Sequence, residues 1–360
     1  MKPQFYISIL IIFLVFSCSN EEEPNQNPDP TETEIYFPPF NSATWDTKSI
    51  SELGWNTSNL QPLLDFLEQN NTKSFIILHD GKIVVEEYMN NHDINKLWYW
   101  ASAGKTLTAT LSGIAQEEGL LNINNKVSDY LGTGWTSAPL EKENLITCKH
   151  LLSMNSGLDD SSDAVEPEDL QYIADAGSRW AYHNVYKKMQ DVIAEASNTS
   201  FKNYFNDKLR DKIGMSGAPN TWLQLNDFNV YWSDTRSMAR FGLIIYAKGK
   251  WGNTQIISED FINEATNTSQ SINKSYGYLW WLNGKSSYHL PASQLEFPGK
   301  LVPNAPDDMF AALGKNDQKI YVVPSKKLVV IRMGEAADNE TFALSSFDND
   351  LWEKMNALID

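Results

Sequence analysis

Ser102 and Lys105 lie three residues apart in Trp100-Ala101-Ser102-Ala103-Gly104-Lys105, at what reads as the start of a helix. Residues at that spacing are neighbours on a helical surface, so the lysine amine reaches the serine hydroxyl. A serine hydroxyl is a weak nucleophile until a base takes its proton, and this pair supplies both parts of an acyl-transfer engine. The tetrad by itself fits an ordinary buried helix equally well. Leu107, Leu111, Ile114 and Ala115 then recur at helical spacing, and Gly119 reads as the C-terminal stop. A second match, Ser271-Ile272-Asn273-Lys274, has no helical run behind it and reads as loop.

The elements that must position Ser102 can be read from the apolar pattern. Leu60 to Asn70 is an amphipathic helix. Lys73 to Leu78 and Lys82 to Tyr88 are strands joined by the hairpin signal His79-Asp80-Gly81. Residues 102–250 are helical in pattern, with polar loops near 133–144 and 157–170. Strand signals return at Tyr276–Leu282, Met309–Leu313, Lys319–Val323 and Leu328–Met333, and Phe347 to Leu358 closes as a helix. The order predicts an α+β fold, in which one antiparallel sheet with flanking helices is built from both chain ends. An all-helical lobe is inserted between the two halves. The α/β part spans about 45–100 and 250–360, the lobe about 101–249, and Ser102 sits at their junction, where a cleft forms.

The chain has 360 residues, 42% of them hydrophobic, which is enough for one sizeable domain over 45–360. Its net charge of -17 repels phosphate backbones, so nucleic acid is not an expected partner. Met1-Lys2 followed by the apolar run Tyr6 to Phe16 reads as a targeting segment too short to span a bilayer. It ends in Val15-Phe16-Ser17-Cys18, which resembles the lipobox of bacterial lipoproteins, where cleavage before the cysteine leaves it N-terminal and lipid-modified. Residues 1–17 are thus expected to be a signal peptide, and 18–44 a lipidated Cys18 followed by a polar, proline-rich tether. The acidic cluster Glu21-Glu22-Glu23 resembles the export signal of surface lipoproteins. The expected location is the bacterial cell envelope. Cys148 lies in an apolar helical setting and reads as a buried, inert thiol. The five histidines show no metal-ligand spacing, so neither metal nor cofactor is expected.

Several further segments follow Trp100–Lys105 in a consistent order. They are Ile146-Thr147-Cys148-Lys149-His150-Leu151-Leu152-Ser153-Met154-Asn155-Ser156-Gly157-Leu158, then Gly177-Ser178-Arg179-Trp180-Ala181-Tyr182-His183-Asn184, Ile213-Gly214-Met215 and Ser237-Met238-Ala239-Arg240-Phe241-Gly242. Tyr276-Gly277-Tyr278-Leu279-Trp280-Trp281 and Val322-Val323-Pro324 complete the set. Together with Thr72–Tyr88 they resemble the β-lactamase-related serine hydrolases, with the β-lactamase/DD-peptidase fold, over roughly residues 50–358. That class C β-lactamase-like group also holds esterases, D-amino-acid peptidases and nylon-oligomer hydrolases.

The resemblance implies that Ser102 is the acylated nucleophile and that Lys105 shares the proton work with a tyrosine of a Y-x-N or Y-x-S tripeptide. Four such tripeptides occur, beginning at Tyr88, Tyr182, Tyr204 and Tyr231. Context selects Tyr182-His183-Asn184, which follows a turn inside the helical lobe, with Asn184 positioning substrate and Lys105. Whether Lys105 or Tyr182 is the base stays open at this point. The family's K-T-G or H-x-G strand motif corresponds to Ala312-Leu313-Gly314, followed by Lys315. The backbone N–H groups of Ser102 and Lys315 are then expected to form the oxyanion hole. Ala312 replaces the cation that holds the substrate carboxylate in penicillin-recognising members, which favours the esterase and amidase branches. Trp180 is the best candidate for lining an apolar acyl pocket.

The resulting expectation is hydrolysis of a small ester, amide or short peptide through a Ser102 acyl-enzyme, without a cofactor. The oligomeric state is left open. The alternatives are a β-lactamase or D,D-peptidase-like cell-wall enzyme, and a catalytically idle surface lipoprotein that binds peptides, glycans or envelope partners.

Overall fold

The computed structural model describes residues 34–40, 42–216, 222–225, 228–337 and 344–360. The segments expected to be signal peptide, lipidated Cys18 and most of the tether lie outside these residues. The compact body is Ile35–Asp360. It therefore begins ahead of the boundary expected at 45. The physical reason is a short N-terminal strap: Tyr36 N–H donates to the Asp80 carbonyl at 2.9 Å, and the Arg240 guanidinium donates to the Pro38 and Pro39 carbonyls at 3.0 and 2.7 Å.

Shorter segments aside, the chain runs through α1 (Leu60–Gln69), β1 (Thr72–His79), β2 (Lys82–Tyr88), β3 (Trp98–Tyr99), α2 (Lys105–Glu117), α3 (Lys187–Ser197), β4 (Trp222–Leu225), β5 (Phe228–Ser233) and α4 (Thr235–Tyr246). It ends with β6 (Trp281–Leu282), β7 (Phe310–Gly314), β8 (Gln318–Val323), β9 (Leu328–Gly334) and α5 (Ser346–Ile359). The main sheet has the order β2-β1-β9-β8-β7-β6, and every pair in it is antiparallel. Its strands come from both ends of the chain, as the sequence pattern predicts. The expected strand over Tyr276–Leu282 shrinks to β6, because the chain reverses at Leu279, with φ of 60°, and Tyr276 bridges back to Trp281.

The inserted segment is helical in the main, yet it departs from an all-helical lobe. Within it, β4 and β5 form a hairpin, and β5 pairs with β3 to give a second small sheet. Helix α4 also leaves the lobe and packs on β9, β8 and β1 of the main sheet. Close approach there requires a glycine, since a Cβ on Gly242 would lie 2.5 Å from Val329 Cγ1.

The opposite face of the sheet is covered by α1 and α5, with the Phe66 and Phe347 rings stacked at 5.5 Å. Side chains alternate along β8, so Ile320 faces α4 while Lys319 and Tyr321 face α5. Because both faces are covered, Lys319 is fully buried and must be paired. Its amine lies 2.7 Å from Asp348 and 3.1 Å from Asp317, and Tyr321 Oη donates to Asp348 at 2.6 Å. Asp348 also closes the capping box of α5 by accepting from the Ser345 N–H at 3.1 Å. One carboxylate thus joins sheet and closing helix. Asp348→Ala leaves a buried charge and a buried hydroxyl short of a partner. It is expected to cost about 3 kcal/mol or more, seen as a lower urea midpoint with an unchanged slope; an unchanged midpoint would contradict this role.

Candidate active site

Ser102 sits on a tight turn, Ala101–Gly104, that leads directly into α2. Trp100 anchors the turn. It is fully buried, its N–H donates to the Tyr231 carbonyl at 2.8 Å, and its indole Nε1 donates to Ser233 Oγ at 2.8 Å. Ala101, just before Ser102, has φ of 48°. The left-handed region is strained for a residue with a Cβ and persists only where the surroundings over-determine it. Here the Trp100 anchor on one side and the helix on the other fix the chain, leaving Ala101 to take the strain.

The end of β7 closes on the same turn. A Cβ on Gly314 would lie 2.4 Å from the Trp100 carbonyl oxygen and 3.0 Å from the Ala103 nitrogen, so the strand can approach only with glycine there. Gln318, fully buried, holds the turn beyond the strand by donating from Nε2 to the Lys315 and Asn316 carbonyls at 3.3 and 2.7 Å. Asn316 and Asp317 both have positive φ, so the β7–β8 turn is tight. Ala312 is buried, and the Lys315 side chain is exposed.

Lys105 is the first residue of α2 and only 5% exposed. Its Nζ donates to Ser102 Oγ at 3.0 Å and lies 3.5 Å from Asn184 Oδ1. The rings of Tyr186 and Tyr182 flank the amine at 4.6 and 5.0 Å. Burial, reinforced by the neighbouring Lys187, lowers the Lys105 pKa to about 7, while Asp163 opposes the shift. A large fraction of the amine is therefore neutral at neutral pH and can accept a proton. Burial pushes Tyr182 the other way, well above the ordinary phenol range, with its hydrogen bond to Ser102 opposing. Tyr182 thus stays protonated.

The four candidate tripeptides now separate. Tyr88 Oη donates to Glu86 at 2.7 Å, Tyr204 Oη donates to Glu118 at 2.9 Å, and Tyr231 packs its ring 5.0 Å from Trp100. Of the four, Tyr182 is the one that meets both Ser102 and Lys105. Asn184 Nδ2 donates to the Asp163 carbonyl at 3.1 Å and to Asp163 Oδ1 at 3.3 Å, which turns Oδ1 toward the amine. The next residue back supports this, with the His183 ring and the Ser162 carbonyl 2.7 Å apart.

Two expectations need correction or completion. Trp180 does not line an open pocket. It is fully buried behind Tyr182, with its ring 5.4 Å from Tyr276 and 6.0 Å from Trp281. The three rings brace Tyr182, which lies 6.2 Å from Tyr276 and 5.6 Å from Trp281. Asp163, Tyr186 and Gln318 were not foreseen. Tyr186 falls four residues after Tyr182, between Val185 and the Lys187-Lys188 pair, where no motif marks it. The second S-x-x-K match lies in a loop, as expected, and Cys148 is buried with its thiol pushed up to about 12 by desolvation.

A serine and a buried lysine at a helix start, braced by a tyrosine and set against the end of a strand in an antiparallel sheet, fit the beta-lactamase-fold class of serine hydrolases. The sequence matches the Beta-lactamase family over residues 66–347, and the chain belongs to that family. No curated protein matches it. Its fold is similar to that of a Bacillus anthracis protein provisionally named a 6-aminohexanoate-dimer hydrolase (16% identity, TM-score 0.67, covering 90% of this chain and 89% of that one). It is also similar to a penicillin-binding protein homologue from Caulobacter crescentus (12% identity, TM-score 0.63, 83% and 97% covered). A beta-lactamase from Mycobacterium bovis aligns with 18% identity and TM-score 0.56, covering 81% of this chain and 99% of that one.

The depressed amine has a consequence for stability. The unfolded lysine titrates near 10.5 and the folded one near 7. The folded state's penalty is therefore full below pH 7 and fades as pH rises toward 10.5. Lys105→Met is expected to raise stability by up to about 5 kcal/mol at acidic and neutral pH. The gain should shrink toward pH 10 in thermal melts taken across that range. A gain that does not vary with pH would contradict a neutral buried amine.

Proposed function

We propose that the protein hydrolyses ester or amide bonds through a Ser102 acyl-enzyme, with neutral Lys105 as the base and protonated Tyr182 as the proton carrier. The observation that supports this most strongly is the 3.0 Å contact from the desolvated Lys105 amine to Ser102 Oγ. In acylation Lys105 takes the hydroxyl proton as Oγ bonds to the substrate carbonyl carbon, and the carbonyl electron pair moves onto oxygen. The N–H groups of Ser102 and Lys315 are the proposed donors to that oxyanion, since Gly314 draws the strand end against the nucleophile turn. Collapse expels the leaving group, which receives the proton from the Lys105 ammonium by way of the Tyr182 hydroxyl. A water molecule then repeats the sequence on the acyl-enzyme and releases the acid.

Ala312 argues against β-lactams as the preferred substrates. The position is buried and carries no charge to meet a carboxylate. The envelope reading also stands as part of this proposal: Cys18 carries lipid and residues 19–34 let the enzyme reach beyond the membrane surface.

The test is a panel of p-nitrophenyl esters, linear amides including the 6-aminohexanoate dimer, and a chromogenic cephalosporin. Esters or amides should turn over at least 100-fold faster than the cephalosporin. Ser102→Ala should lose a factor of about 10³ or more with its melting temperature unchanged. Retained activity in that variant would overturn the mechanism, and preferred turnover of the cephalosporin would restore the β-lactamase reading. The kcat/KM profile should rise through an apparent pKa near 7, because the protonated amine cannot act as base.

A further inference from the structure

The Lys105 amine becomes an ammonium each time it takes the Ser102 proton. That charge forms in a site that is 5% exposed. Its hydrogen-bonding neighbours are Ser102 at 3.0 Å and Asn184 at 3.5 Å, and both are neutral. The ionisable groups that face it are Asp163, Lys187, His183 and the tyrosines 182 and 186. Asp163 favours the ammonium, but its carbonyl and Oδ1 are engaged by Asn184. Lys187 disfavours it, and burial disfavours charge on His183. None of these supplies an anion in contact with the amine. Beyond these neighbours, the amine lies over an aromatic face: the Tyr186 ring centroid is 4.6 Å from Nζ, nearer than that of Tyr182.

An aromatic face carries negative quadrupole density and attracts a cation most strongly where water is excluded. We propose that the Tyr186 ring is a positioning residue for the reaction. Its π face receives the Lys105 ammonium as the charge forms and holds the amine over Ser102. The inference rests on the acyl-enzyme reading above and adds a residue to it. Burial keeps the base neutral at rest, and the ring then lowers the energy of the charged form that burial would otherwise disfavour. Tyr186 is suited to this because it is itself buried and lies on the short helical turn Asn184–Tyr186 leading into α3. The hydroxyl has no part in the interaction.

The test separates ring from hydroxyl and from packing. Tyr186→Phe keeps the ring and is expected to retain p-nitrophenyl acetate kcat/KM within about threefold. Replacing that Phe with mono-, di- and trifluorinated phenylalanine drains the π face at nearly constant shape, so folding is preserved. Each added fluorine should move the acidic limb to lower pH, and the most fluorinated ring should lower the plateau about tenfold. Tyr186→Leu should lie beyond the end of that series. A limb and plateau that fluorination leaves in place would overturn the proposal, as would a Tyr186→Phe loss equal to that of Tyr186→Leu. A parent protein with no acidic limb, or a Ser102→Ala variant that keeps its turnover, would instead fault the acyl-enzyme reading itself.

Discussion

The structure depends on one desolvated amine. A lysine at the start of a surface helix would be a hydrated cation of no use as a base. Lys105 is instead enclosed by α2, the Tyr182–Tyr186 segment and the Ser102 turn, and loss of water brings its proton affinity close to neutrality. The enclosure costs stability, since an ammonium that is free in the unfolded chain must give up its proton or its hydration on folding. A protein bears such a cost at a site where function needs it.

The surrounding features follow from keeping that amine dry and aimed. Tyr182 is braced on one side by Trp180, Tyr276 and Trp281, whose mutual ring distances of 5.0 to 6.0 Å leave it little freedom. Asn184 is turned by Asp163, and the adjacent His183 ties the same segment to Ser162. The nucleophile turn is pinned by Trp100 and stores strain at Ala101. The end of β7 reaches it because Gly314 has no Cβ. Behind the sheet, the Lys319–Asp348–Tyr321 cluster fixes the closing helix and with it the strands that end at the site.

Much of this was legible in the residues. The Ser102–Lys105 spacing, the helix behind it and the strands at either end of the chain, that at Tyr276 excepted, each follow a strong local period, and the structure places them within a residue or two. The lobe was less legible. Its hairpin over 222–233 forms by pairing with Trp98–Tyr99, a long-range contact that no local pattern announces. The aromatic run from Tyr276 reads as a strand by composition, but Tyr276 and Trp281 buttress Tyr182 while Tyr278 and Trp280 pack on Phe261 and Phe241. Four tripeptides looked alike because their identity as relay or packing residue lies in tertiary contacts to Glu86, Glu118, Trp100 or Lys105. Trp180 shows the same limit: adjacency to Tyr182 in sequence put it near the site but behind it. Tyr186 was invisible because its meeting with Lys105 is a tertiary contact, and the mixed sequence around it carries no motif.

The central claim is that the Ser102 hydroxyl is activated by its enclosed neighbour. Intact-mass measurement after exposure of the purified protein to a fluorophosphonate tests it most directly, because the reagent needs an activated serine and no knowledge of the substrate. The account predicts a single adduct that peptide mapping places on Ser102 and that is absent from Ser102→Ala. A folded protein that takes no adduct, or takes one elsewhere that survives the substitution, would contradict it.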